Sequence, residues 1–174
     1  MVTGTEILNH VHQLRRYARL LCGNAVDADD LVQTTLEKAV RHTHRFREGR
    51  DLRVWLFAIL HNTFKSAIRE NRSRRDRETL WFESGAGSVS GGQEISAELS
   101  RVLAAIDDLP PQQREVLLLV SVEGFSTEEI AYTMDIPVGT VRSRLARGRE
   151  LLRRTLQHGS TVHPLTIVGG RDAR

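Results

Sequence analysis

The sequence is a basic chain of 174 residues, with a formal net charge of +3 and a pI near 9.6. Its 40% hydrophobic content excludes wholesale disorder, and the single Cys22 excludes an internal disulfide and fits a reducing compartment. The longest apolar runs, at 55–60 and 116–120, are too short to span a bilayer, and the N-terminus lacks a signal-peptide layout. We therefore expect a cytoplasmic protein without membrane insertion. Clustered arginines favour a polyanionic partner.

The beginning of the chain predicts two helices. Apolar residues recur at helical spacing over residues 5–22, and Gly23 and Asn24 predict the end of that helix. A second helix is expected to begin with Asp27 as its cap and to bury a stripe from Leu31 to Val40. Its acidic first turn is explained equally well by capping and by a partner surface.

Residues 41–50 form a basic loop that contains Phe46 and two histidines without metal-ligand spacing. Asp51 is expected to cap a long helix that reaches about residue 74. The side opposite its core should carry His61, Asn62, Lys65 and Arg69. A line of amides and cations beside an aromatic residue could hold a phosphate backbone and an unstacked base. An ordinary solvated helix face explains this pattern about as well.

Helical periodicity is lost between residues 73 and 94, where the chain becomes rich in glycine and serine. We interpret this stretch as the boundary between two small helical domains in an all-α protein. The first domain is expected at 1–75, a flexible linker at 76–94, the second domain at 95–157, and a mobile tail at 158–174.

The second domain is predicted to end in a helix-turn-helix over residues 126–154. Ser126 and Glu129 have the spacing of a capping box, and the segment around Pro137 breaks the helical pattern. Gly139 opens a second helix whose apolar residues, Val141 among them, face inward while six arginines remain on or near the outside. A cationic second helix of this kind suits the DNA major groove.

Three stretches resemble bacterial extracytoplasmic-function (ECF) sigma factors. DADDLVQTTLEKAV (27–40) resembles conserved region 2.2, and WLFAILHNTFKSAIRENRSRR (55–75) resembles regions 2.3 and 2.4. Residues 109–152 resemble regions 4.1 and 4.2, with the specific stretches STEEIA (126–131) and PVGTVRSR (137–144). The resemblance implies a subunit that gives core RNA polymerase its promoter specificity and helps to melt the −10 element.

The resemblance also assigns roles to residues. The polymerase set, which would bind the β′ clamp, consists of Asp27, Asp29, Asp30, Gln33 and Glu37. The −10 set consists of Phe46, His61, Asn62, Lys65 and Arg69. The −35 set consists of Thr140, Arg142, Ser143, Arg144 and Arg147, of which Arg142, Ser143 and Arg147 would read bases while Thr140 and Arg144 meet phosphates. The implied partners are core RNA polymerase, through its β′ clamp and β subunits, promoter DNA and an anti-sigma factor. The anti-sigma factor would cover either residues 27–40 or the arginine-rich helix.

Two positions depart from the family pattern, since many members have an aspartate in place of Ser66 and an aromatic in place of Ala146. The alternatives are a helix-turn-helix regulator, which would not need the first domain, and a sigma mimic that sequesters an anti-sigma factor. Such mimics usually carry a receiver domain, for which we see no room. We find no nucleophile with a placed base and no nucleotide-binding loop, so we expect no catalytic residue, metal or cofactor.

Overall fold

The computed structural model describes residues 2–47, 49–75 and 97–158, and all regular structure in these ranges is helical. The α-helices are α1 (Gly4–Leu8), α2 (Val11–Cys22), α3 (Ala25–Arg41), α4 (Leu52–Arg75), α5 (Ala97–Asp107), α6 (Pro111–Ser121), α7 (Thr127–Met134) and α8 (Val138–His158), and a short 3-10 helix spans Thr43–Arg45. The all-α prediction is confirmed. The expected linker at 76–94 and the tail beyond residue 158 lie outside the described residues.

The single helix predicted over residues 5–22 is wrong, because the chain turns between α1 and α2. The backbone N–H of His10 donates to the carbonyl of Ile7 at 3.1 Å, which is a tighter step than an α-helix makes. α1 has its own capping box, formed by Thr3 and Glu6. The turn lets Ile7 enter the core, where it is 2% exposed.

The start of α3 differs by three residues from the prediction. Asn24, and not Asp27, is the N-cap, and its side chain accepts a hydrogen bond from the backbone N–H of Asp27 at 2.8 Å. Gly23 ends α2 with a φ of 74°, as expected of a glycine in the left-handed region. At the other end of α3, Val40 is 58% exposed and does not belong to the buried stripe.

In the first domain, α2 packs against α3 and α3 packs against α4. The rings of Tyr17 and Phe57 lie 5.3 Å apart in the centre, and both are almost fully buried. Asp51 caps α4 as predicted, because its carboxylate accepts a hydrogen bond from the backbone N–H of Arg53 at 2.7 Å.

In the second domain, α8 packs against α5, α6 and α7. The predicted capping box of Ser126 and Glu129 is present at the start of α7. Asp135 ends α7 in a left-handed conformation with a φ of 53°, and α8 begins directly after Pro137. The helical spacing also predicts that Leu99 and Leu151 face inward, but they are 49% and 37% exposed.

The two domains pack against each other through α4 and α7 and share one continuous hydrophobic cluster. Phe57 of α4 and Phe125, which precedes α7, meet edge to face at 5.1 Å. This packing was not expected from the sequence, which predicted two modules held only by a linker. It determines which of the predicted site residues reach solvent.

Candidate polymerase and nucleic-acid interfaces

The −35 set lies along the N-terminal half of α8, the second helix of the helix-turn-helix. Thr140, Ser143 and Arg147 follow each other at steps of three and four residues and therefore share one helix face. Ser143 and Arg147 are exposed, and the Ser143 hydroxyl donates to the carbonyl of Thr140 at 3.0 Å. The face therefore presents a hydroxyl and a guanidinium group next to each other.

The other two arginines of the −35 set have different surroundings. Arg142 is exposed and donates to the Glu128 carboxylate at 3.3 Å, across the helix-turn-helix. A solvated pair of this kind is weak, so Arg142 remains available to a polyanion. Arg144 is half-buried and lies near the contact between the two domains, because its charge acts on both His61 of α4 and Glu115 of α6.

The −10 set divides between a loop and one face of α4. Asn62, Lys65 and Arg69 are exposed at steps of three and four residues. Phe46 is half-buried and meets Trp55 edge to face at 5.5 Å. These two rings line a cavity of about 300 Å³ together with Arg45, Arg47, Arg50 and Tyr132. Aromatic walls with arginines at the rim are the features that hold a stacked base and its phosphate.

His61 does not lie on the exposed face where the sequence placed it. It is 5% exposed, and its Nδ1 lies 3.3 Å from the Oε2 of Glu115, at the contact between the two domains. Burial lowers the pKa of His61 to about 4 and raises the pKa of Glu115 to about 7. Both groups are therefore mainly uncharged in slightly acidic solution. The helical spacing correctly placed His61 on the same side of α4 as the other α4 residues of the −10 set. It could not show that α6 covers that end of the helix face.

All members of the polymerase set are exposed on α3. Asp29 pairs with Arg15 at 2.8 Å, and Gln33 donates to Glu37 at 3.1 Å. Val26 and Val40, which are 71% and 58% exposed, extend the same helix with apolar surface. An acidic helix with exposed valines has the mixed polar and apolar character of a protein-binding surface.

Within residues 2–47, 49–75 and 97–158, no group of three or more potential ligands could hold a metal ion. The His42 and His44 rings are 5.9 Å apart without further donors of that kind. Burial raises the pKa of Cys22 to about 11, which makes its thiol a poor nucleophile. Among the described helices, none is both long and apolar enough to cross a membrane.

Several residues at these surfaces were missed by the sequence interpretation. Trp55 packs against the core, and the sequence did not show that it also forms a wall of the cavity beside Phe46. Arg16 and the buried Glu123, which pair at 3.0 Å, drew no attention because they are 107 positions apart. The only local signal was a glutamate in a short apolar segment, Val122 to Phe125.

Comparison with known proteins accounts for both domains. The family model described as the Sigma2 domain of PhyR matches residues 7–61, and the model of sigma-70 region 4 matches residues 99–152. The ECF RNA polymerase sigma factor EcfG of Rhodopseudomonas palustris is 41% identical over 147 residues, which cover 84% of this chain and 81% of EcfG. The chain belongs to the ECF RNA polymerase sigma factors.

Two further proteins agree with this ECF assignment. The sigma factor SigL of Mycobacterium tuberculosis is 37% identical over 153 residues, which cover 85% of each chain. The sigma factor RpoE of Bartonella quintana, solved in complex with the anti-sigma factor NepR, has a TM-score of 0.76 and 34% identity. That match covers 88% of this chain and 95% of RpoE.

As an ECF sigma factor, the protein binds core RNA polymerase and directs it to promoter DNA at the start of transcription. The family resemblance drawn from the sequence is confirmed.

Proposed function

We propose that the two domains of this sigma factor divide promoter recognition between them. Residues 1–75 bind the polymerase clamp and the melted −10 strand, and residues 95–157 bind the −35 element. The observation that carries this proposal is the arginine-bearing face of α8, placed directly after a capped helix and a tight turn. Such a helix enters the major groove and reads base edges with its N-terminal residues.

In the first domain, the −10 strand binds along Asn62, Lys65 and Arg69, and one base leaves the stack to enter the cavity beside Phe46 and Trp55. Unstacking a base costs a few kcal/mol, which stacking against an aromatic ring offsets. No catalytic residue is required for this step. The polymerase set on α3 binds the β′ clamp through its carboxylates, which suits a basic partner surface.

Run-off transcription tests the proposal. Core polymerase, the purified chain and fragments of chromosomal DNA from the bacterium that encodes it are combined, and the transcript starts are mapped. We expect discrete starts that share one −35 and one −10 sequence. Random starts, or no product beyond core polymerase alone, would overturn the proposal.

Two matched variants test whether α3 binds the polymerase clamp. Asp30→Lys reverses a charge of the polymerase set, and Asp108→Lys makes the same change at an exposed position of the second domain. We expect Asp30→Lys to weaken core binding at least about tenfold, and Asp108→Lys to leave it unchanged. Equal effects of both variants would mean that α3 is not the clamp surface.

We also propose that an anti-sigma factor holds this chain inactive. RpoE, the structurally similar sigma factor described above, was solved in complex with NepR, and this similarity supports a NepR-type partner. Adding NepR of Bartonella quintana to the run-off reaction should inhibit promoter-specific product. If NepR neither binds the chain nor changes the product, a NepR-type partner is ruled out. We expect the protein to act in the cytoplasm, together with the polymerase.

A further inference from the structure

The contact between the two domains contains buried charged groups. The Glu123 side chain is 0% exposed and accepts hydrogen bonds from the Nε and Nη2 of Arg16, at 3.3 and 3.0 Å. The guanidinium of Arg53 donates to the backbone carbonyl of Glu123 at 3.0 Å, and that of Arg114 donates to the carbonyl of Leu20. These contacts join α2 and α4 of the first domain to α6 and the segment before α7.

This contact covers part of the surface assigned to the −10 strand. His61 lies beneath Glu115 of α6 and is 5% exposed. Tyr132 of α7 lines the cavity that also contains Phe46 and Trp55, and the guanidinium of Arg50 lies 5.0 Å from the centre of the Tyr132 ring. The second domain thus places an aromatic ring at the cavity where a base would stack.

We propose that the second domain is the intramolecular occupant of the −10 surface, so that domain closure and capture of the −10 strand exclude each other. The Arg16–Glu123 pair stabilises the closed form, and the Tyr132 ring occupies the cavity position of the unstacked base. The inference rests on the proposed role of the −10 set. It adds a competitor that lies within the same chain.

The composition of the contact suits an interface that separates. Interfaces between domains that move are more polar than permanent ones, and here Arg16, Arg53 and the buried Glu123 add hydrogen-bonded polar groups beside the shared apolar cluster. Because the two domains belong to one chain, the second domain competes with the −10 strand at a high effective concentration. If nine-tenths of the molecules are closed, the apparent affinity for the −10 strand falls about tenfold.

Two pairs of variants test the competition. Glu123→Arg sets a third cation against Arg16 and Arg53, and Asp108→Arg makes the same charge change at an exposed site. Tyr132→Ala removes the ring from the cavity mouth, while Tyr132→Phe keeps it; Tyr132 is 44% exposed, so both variants should fold. The measurements are the radius of gyration by small-angle X-ray scattering and the affinity for a single-stranded −10 oligonucleotide from a promoter mapped by run-off transcription.

We expect Glu123→Arg to enlarge the radius of gyration and to bind the oligonucleotide about tenfold more tightly than Asp108→Arg. Tyr132→Ala should bind it more tightly than Tyr132→Phe. An unchanged radius for Glu123→Arg, together with equal affinities within both pairs, would overturn the proposal. A larger radius without any gain in affinity would also overturn it, because closure would then not compete with DNA.

Failure of the proposed function gives a different result. In that case the chain yields no promoter-specific run-off product, whatever the radius of gyration of Glu123→Arg.

Discussion

Arg16 and Glu123 form an ion pair of 3.0 Å between α2 and the segment before α7, and the Glu123 side chain is inaccessible to solvent. Replacing Arg16 by methionine keeps an apolar stem but leaves a buried carboxylate without its donor. We expect the free energy of unfolding to fall by roughly 1–3 kcal/mol, measured in urea. Arg19→Met, at an exposed position of the same helix, is the control and should cost less. Equal losses would mean that the pair contributes nothing beyond a surface charge.

Glu115 gives stability a dependence on pH. Burial raises its pKa from 4.5 to about 7, so between these pH values the carboxyl group is ionised in the unfolded protein but protonated in the folded protein. The folded protein therefore loses stability as the pH rises from 4.5 toward 7. Glutamine has the shape of the protonated acid and no such cost. Glu115→Gln should therefore be more stable than the wild type by up to about 3 kcal/mol at pH 7, with the gain vanishing near pH 4.5.

Urea unfolding of both proteins at several pH values checks this, and the difference between them cancels the titrating groups that do not contact Glu115, as His61 does. The charges of Arg144, Lys65 and Arg114 act in the opposite direction on Glu115. If Glu115→Gln is less stable than the wild type at pH 7, the anion is stabilised by these cations more than it is penalised by burial.

Gly148 lies in the interior of α8, where a glycine costs helix stability. A Cβ atom at this position would lie 3.4 Å from the Cβ of Gln113 and 3.7 Å from Leu117, which is ordinary contact. Gly148→Ala should therefore raise the free energy of unfolding by roughly 0.5–1 kcal/mol. Gly148→Leu should lower it, because α6 leaves no room for a larger side chain. If alanine also destabilises, α6 and α8 are packed more tightly than these distances indicate.

Arg147 is exposed on the side of α8 that we propose faces DNA, and Arg149 is an exposed arginine two positions further along. Arg147→Ala should weaken binding to the cognate −35 duplex by about 1–3 kcal/mol and relax the preference at one base pair. Arg149→Ala, which removes the same charge, should weaken binding to cognate and unrelated duplexes alike. An equal loss on cognate and unrelated duplexes for Arg147→Ala would assign it to a phosphate contact.

The elements that the sequence predicted well are those with local signals. The capping box of Ser126 and Glu129 and the left-handed Gly23 depend on residues a few positions apart, and both are present. The turn between α1 and α2 was missed because the apolar spacing continues through it. The hydrogen bond from His10 to Ile7 marks this turn, and the spacing carries no signal of it.

The sequence could not predict the packing of one domain on the other. His61 fits the exposed line of α4 by spacing, but its burial depends on Glu115, which is 54 positions further along and on another helix. A helical period describes one helix at a time and does not tell which faces a distant element covers. For the same reason Tyr132 could not be placed beside Phe46.

The separation of the two domains on promoter binding is measured by the distance between spin labels on α2 and α5. In a Cys22→Ser background, labels at residues 19 and 98 are compared in the free protein and in its complex with core polymerase and promoter DNA. We predict one short distance in the free protein and a longer one in the complex, because a sigma factor must open to reach two promoter elements. The same distance in both states would mean that the two domains do not separate when the protein binds the polymerase and its promoter.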